Sequence, residues 1–321
     1  MIMKQLFHCL LFICFFVGLC MADEALDNAA EANKIYSSLS NLCNPTLADY
    51  QMIQEYLTHG NRSMIKRLQD YESNARHFTI IGKTPQELPK TGMIPVNCTA
   101  HEKENCLIVY ASFNKNYPRG LKRLVKLISD SDFQGHILYR LGGWPDVAGG
   151  SLRLAHVPYA FKVSFFKEAQ RLGYKRALWL DTAIVPVISL NEIFKIIEDK
   201  GYFIMGNSHM VGPYMHPSAA DSFGMTLDAC HHIPSCSAGI CGLDFTHDTG
   251  NSILFHWFRA AENPNAFYSP RSDQNALSII LYALGITDLI PIKRLAHNKN
   301  EINKETLLLI EREFVNELSL K

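Results

Sequence analysis

The sequence predicts an α/β protein whose parallel or mixed sheet carries helices on both faces. Three observations predict it. From Cys106 onward, short apolar runs alternate with amphipathic helical stretches, the pattern of strand–helix crossovers. The runs, such as Leu107-Ile108-Val109-Tyr110-Ala111, are apolar without interruption, which suits strands buried on both faces. Several of them stop abruptly at polar or charged residues, and open α/β sheets bind ligands beyond the carboxyl ends of their strands.

The elements follow in chain order. Leu6 to Ala22 holds 17 residues without a charge after a basic Lys4. Residues 1–22 therefore read either as a cleaved secretory signal, with small Cys20 and Ala22 before Asp23, or as a single retained membrane anchor at the short end of spanning length. Both readings export the rest of the chain, to a Golgi-like lumen, a periplasm or the outside. Residues 23–100 read as a helical N-terminal stem, with Leu47, Tyr50, Ile53, Tyr56 and Leu57 at helical spacing, followed by a linker marked by Thr84-Pro85, Leu88-Pro89 and Ile94-Pro95.

Residues 101–321 form the α/β domain. After the strand at Leu107–Ala111, an amphipathic helix is expected from Arg119 to Ser129, and a second strand from His136 to Tyr139 ends in Gly142-Gly143-Trp144-Pro145. Pro158 suits the first turn of a helix running to about Leu172, where Gly173 caps it. The third strand, Ala177 to Leu180, stops at Asp181. A helix from Leu190 to Lys200 is stopped by Gly201, and a fourth strand spans Tyr202 to Met205. A strand near Ala238–Leu243, helices near Asn251–Ala261 and Asp273–Leu284, and a terminal helix from about Lys304 complete the expectation.

Composition narrows the function classes. Hydrophobic residues make up 47% and charged residues 19% of the chain, which excludes a disordered, collagen-like or multi-span membrane protein. Lys and Arg number 31 against 31 Asp and Glu, so no basic surplus points to nucleic acid as the partner. Three of the nine cysteines lie in the leader; the other six suit an oxidising compartment and admit 15 pairings, Cys98 with Cys106 being one local possibility. Cys230, His231, His232, Cys236 and Cys241 allow a zinc reading, but their spacing matches no usual finger and disulfides suit the compartment better. Asn61-Arg62-Ser63 and Asn97-Cys98-Thr99 are glycosylation acceptor triplets.

Three strand ends carry chemistry. Ser112, Phe113, Asn114, Lys115 and Arg119 follow the first strand; Tyr139, Arg140 and the Gly-Gly-Trp-Pro turn close the second; Asp181 closes the third. Polar groups, a stackable aromatic and cations describe a cleft for a polar, phosphorylated ligand. The arrangement resembles the nucleotide-diphospho-sugar glycosyltransferases of the glycosyltransferase-A fold, a single Rossmann-like mixed sheet flanked by helices. The resemblance covers about Cys106 to Leu295. Arg176-Ala177-Leu178-Trp179-Leu180-Asp181-Thr182-Ala183-Ile184 is similar to the family strand that ends in an Asp-x-Asp signature. The Phe161–Tyr174 segment is similar to the helix leading into it, Ser237–Gly242 to the acceptor-side strand, and Ser272-Asp273-Gln274 to the step that opens a late helix.

The resemblance implies a nucleotide-sugar co-substrate, a glycan, protein or lipid acceptor with a reacting hydroxyl, and often Mn²⁺ or Mg²⁺. It places Ser112, Phe113, Asn114, Arg119, Arg140 and Lys162 at the nucleotide-sugar. The sequence departs from the pattern at Ala183, where the second metal-binding acid belongs. A metal would then rest on Asp181 with Asp273 or His297; otherwise cations such as Lys115, Arg119, Arg140, Arg153 or Lys162 neutralise the diphosphate. Both routes stay open.

Asp273 is the candidate base for an inverting transfer and also a plain helix-start acid; Gln274 would line the reacting face of a retaining one. Asn207 to Pro217, rich in turn formers and aromatics, suits an acceptor-binding loop or a plain surface loop. Three functions are in view: a glycosyltransferase, a catalytically degenerate relative that binds nucleotide or carbohydrate, and a hydrolase using Asp181 with Asp273. Serine hydrolase chemistry has no Gly-x-Ser-x-Gly elbow to support it.

Overall fold

A computed structural model of the chain describes residues 91–111, 117–141, 157 and 159–312. The leader, the helical stem, Asn61, and the loop residues Ser112, Phe113, Asn114, Lys115 and Arg153 lie outside the described residues. No helix among the described residues is long and apolar enough to cross a membrane.

The architecture is mixed α/β. A six-stranded sheet has the order β1-β3-β2-β4-β7-β6, with β1 at Thr91–Val96, β2 at Asn105–Ala111, β3 at Gly135–Leu141, β4 at Arg176–Leu180, β6 at Tyr202–Met210 and β7 at Pro234–Asp244. The central strands β3, β2 and β4 are parallel, whereas β1 runs antiparallel to β3 and β7 antiparallel to both β4 and β6. A second, three-stranded sheet has the order β5-β9-β8, from Ile184–Pro186, Leu308–Ile310 and Leu295–Ala296.

Helices cover both faces. On one, α1 (Tyr117–Ser129) and α3 (Leu190–Lys200) bury Leu121, Leu124, Ile128, Ile193, Phe194 and Ile197 against Leu107, Val109, Leu178 and Leu180. On the other, α2 (Phe161–Arg171), α6 (Asp248–Ala261) and α7 (Ser272–Ala283) pack on Ile108, Tyr110, Ala177 and Trp179. Successive β4 residues thus serve opposite cores, the alternation that a strand imposes. Each such Leu, Ile or Phe side chain contributes about 1.5–3 kcal/mol on burial. The short helices α4 (Pro217–Ser222) and α5 (Leu227–Cys230) close a smaller cluster with Val211, Met215 and Ile233.

Local signals fix several boundaries. The Ser189 hydroxyl accepts the Asn191 N–H at the start of α3, and Gly201 ends the helix at φ 82°. A Cβ on Gly201 would also run into the His247 ring, a second reason for glycine here beside the left-handed backbone.

Four expectations are corrected. Ile94-Pro95 belongs to β1 rather than to a linker, so the sheet begins at Thr91; an edge strand accommodates a proline that a central one would not. The helix expected at Pro158 starts at Phe161. Asn207 to Met210 continue strand β6 across a bulge instead of forming a loop, with Gly206 opposite Cys236 and Met210 opposite Pro234. The helix expected from Lys304 is replaced by β9, because Leu308 and Leu309 are buried between β5 and β8. Cys98 and Cys106 are both free thiols: Cys106 points into the core from β2, while the Cys98 thiol donates to the Gly135 carbonyl at 3.1 Å.

Candidate active site

The chain order places a site before any side chain is considered. From β2 the chain passes through α1 to β3 on one side, then returns through α2 to β4 on the other side of β2. The order therefore reverses between β2 and β4, the switch point at whose carboxyl ends open α/β sheets bind ligands. Leu180 ends β4 there, and Asp181 is the next residue.

Asp181 is held in place by its neighbours and still reaches solvent. Its N–H donates to the Gly239 carbonyl at 2.9 Å, continuing the β4–β7 ladder by one residue. Trp179, two residues back on the same strand face, donates its indole N–H to Asp181 Oδ1 at 2.7 Å. Lys162 Nζ stands 3.5 Å from the same oxygen. The Asp181 side chain nevertheless keeps 46% of its surface exposed. A Cβ on Gly239 would lie 2.6 Å from Asp181 Oδ2, so only glycine leaves room for the carboxylate.

Lys162, in the first turn of α2, is the hub. Its ammonium lies 2.9 Å from Asp273 Oδ2 at the start of α7 and donates to the Ala238 carbonyl at 3.1 Å. It also sits 5.7 Å from the Trp179 ring centroid and 5.8 Å from that of Tyr159. The Ala238 carbonyl is available because β7 bulges: consecutive Ile204 and Met205 of β6 pair with Cys241 and Ser237, leaving Ala238 to Ile240 to turn toward β4. The Lys162 and Asp273 side chains are only 7% and 8% exposed. Burial alone would push the Lys162 ammonium down, but the Asp181 and Asp273 charges beside it hold it above the ordinary lysine value. Burial raises the Asp273 carboxyl above its usual range, and Lys162 only partly offsets this.

The other expected residues divide. Gln274 donates its side-chain amide to Ser235 Oγ at 3.1 Å, beside the pair. Arg119 is half-buried in the first turn of α1, at the carboxyl end of β2. Arg140 is buried on β3, where it pairs with Glu168 of α2 at 3.3 Å and lies 5.6 Å from the Phe165 ring centroid. The pair joins β3 to α2.

His297 is exposed after β8, with its backbone N–H donating to Glu301 at 2.8 Å. Among the described residues no three His, Cys, Asp or Glu side chains gather as a metal site. Asp181 and His297 thus stand on different elements, at the end of β4 and just after β8. The Asp181 carboxylate has the Lys162 ammonium beside it, and position 183 is Ala183.

Two residues of the site escaped the sequence reading. Tyr159 has φ +61°, a conformation costly for a side chain of its size, and its exposed ring stands beside Lys162. Trp179 reads as a core strand residue, yet its indole N–H serves Asp181. The same-face spacing of Trp179 and Asp181 was the one signal available. No protein-family model matches the chain, and no curated protein does.

Proposed function

We propose that this chain is a glycosyltransferase that moves a sugar from a nucleotide-sugar donor to an acceptor hydroxyl, on a glycosyltransferase-A-like sheet. The observation that carries the reading is the half-exposed Asp181 carboxylate at the β2/β4 switch point, fixed by Trp179 and Lys162. With the leader of residues 1–22, the reaction belongs to a secretory or otherwise exported compartment.

Charge assigns the roles. Lys162, Asp181 and Asp273 sum to one negative charge when all are ionised, which repels a diphosphate. Asp181 therefore suits the sugar rather than the phosphates. Glycosyl transfer develops positive charge at the anomeric carbon, and a pre-oriented carboxylate stabilises it where it forms. Lys162 keeps Asp181 aimed. Asp273, buried behind the ammonium, acts as its anchor, and Asp181 is the carboxylate with access to a substrate. The diphosphate falls to the cations around the carboxyl end of β2, Arg119 among them.

The test is turnover. Purified protein is expected to transfer or hydrolyse sugar from at least one nucleotide-sugar, and Asp181→Ala to lower that rate by about 10²–10³ with an unchanged circular dichroism spectrum. Absence of turnover and of any nucleotide-induced thermal shift across a donor panel, with and without Mn²⁺, overturns the proposal.

A second reading, a binding protein without catalysis, is favoured by Ala183 together with the ammonium that already occupies Asp181. Calorimetry separates the two: donor binding without turnover supports the binder.

A further inference from the structure

Beyond Asp181, Arg271 is a cation with no carboxylate beside it among the described residues. Arg271, directly before α7, lies over the Tyr214 ring with its guanidinium carbon 3.7 Å from the ring centroid. Among the described residues its side chain has no ion pair and no hydrogen bond. Stacking fixes the plane of the fork and leaves its N–H edge open, the geometry that receives a carboxylate or phosphate in bidentate fashion.

The surroundings extend this edge. His209, near the end of β6, meets the same Tyr214 ring edge-on at 5.2 Å, and its buried Nε2 lacks a hydrogen-bond partner. Burial first, and the Arg271 charge second, hold this imidazole below the usual histidine value. Three residues before Arg271, the Tyr268 side chain is prominent at the surface, with 59% of the residue exposed. Tyr268 packs edge-on to His216 at 4.7 Å, and the His216 backbone N–H donates to Ser269 Oγ at 3.1 Å. The Tyr214–Arg271 and His216–Tyr268 pairs thus join the same two chain segments, the second of which runs into Asp273 two residues on.

We infer that Arg271, with His209 and the Tyr214 and Tyr268 rings, forms a subsite for an anionic saccharide. The oxyanion group takes the open guanidinium edge, and the sugar ring lies on Tyr268. A uronic-type carboxylate and a sugar phosphate share this chemistry. As the acceptor subsite of a transferase the assignment rests on the proposed function; as a binding site it stands without it.

Calorimetric titration of the full chain with methyl β-glucuronide, glucose 6-phosphate, inorganic phosphate and neutral methyl β-glucoside tests the inference and separates the two anion sources. One or both acidic sugars are expected to bind at least about tenfold more tightly than the glucoside, the scale of a charge-assisted contact. Arg271→Gln is expected to erase that preference and Arg271→Lys to restore only part of it. A shift of the His209 ring resonances on titration would place the ligand. Equal binding of acidic and neutral sugars, retention of the preference in a folded Arg271→Gln protein, or binding of inorganic phosphate alone each overturns the inference. Asp181→Ala is expected to leave glucuronide binding intact. Donor turnover without acidic-sugar binding therefore sinks only the subsite, and acidic-sugar binding without donor turnover sinks only the transferase reading.

Discussion

Asp181 and Gly239 occupy a single space: the glycine accepts the Asp181 N–H at 2.9 Å, and a Cβ added to it would meet Asp181 Oδ2 at 2.6 Å. The carboxylate is aimed by the absence of a side chain opposite it. Gly239→Ala is expected to push the carboxylate off its Trp179 and Lys162 contacts, reducing donor turnover by at least about tenfold while costing about 1–3 kcal/mol of stability. Paired activity and urea-denaturation measurements check this. Wild-type turnover in Gly239→Ala would show that the orientation of Asp181 is immaterial.

The Lys162–Asp273 pair lies inside the protein, where removing one partner strands the other. Lys162→Met is expected to cost about 3–5 kcal/mol, and Lys162→Met/Asp273→Asn together distinctly less than the sum of the single changes. A double-mutant cycle by chemical denaturation measures the coupling. Additive single effects would mean that the contact carries no energy.

Alkaline stability follows from the same lysine. Its folded value lies above the ordinary 10.5. Its stabilising contribution is therefore complete below pH 10.5 and is lost as pH climbs through the higher folded value. Tyr139, Tyr174 and Tyr202, raised first of all by burial, lose stability in the same direction. The lysine part thus appears as a difference: between about pH 10 and 12 the wild type is expected to lose more stability than Lys162→Met. Parallel curves would remove Lys162 as the cause.

The thiols offer a chemical check of the core. Burial drives the Cys236 thiol up to about 12 and the Cys241 thiol well above its ordinary value. Neither is expected to react with iodoacetamide in the native protein at pH 8, and both should react after unfolding. Peptide mapping without reductant should recover Cys98 and Cys106 as separate thiols. A Cys98–Cys106 disulfide in the map would contradict the packing of Cys106 against the core.

Much of the fold was legible where local rules and burial agreed. Leu190 to Lys200 was framed by a serine cap and a glycine stop, and Leu107 to Ala111 had no amphipathic alternative. Strands β1 and β9 were not legible, because Pro95 reads as a breaker and Leu307 to Ile310 as part of a helix. Each becomes a strand only through a partner elsewhere: β3 for one, β5 and β8 for the other.

At the site, the sequence by itself determined that Asp181 ends an apolar strand and that small residues occur at Ala238 and Gly239. Tertiary structure alone decided that Lys162 comes between Asp181 and Asp273, that Arg140 pairs with Glu168, and that Arg271 has no counter-ion among the described residues. The reason is physical. A strand's end is set by its own residues, whereas the charge that meets it is set by which helices pack on the sheet and in what register.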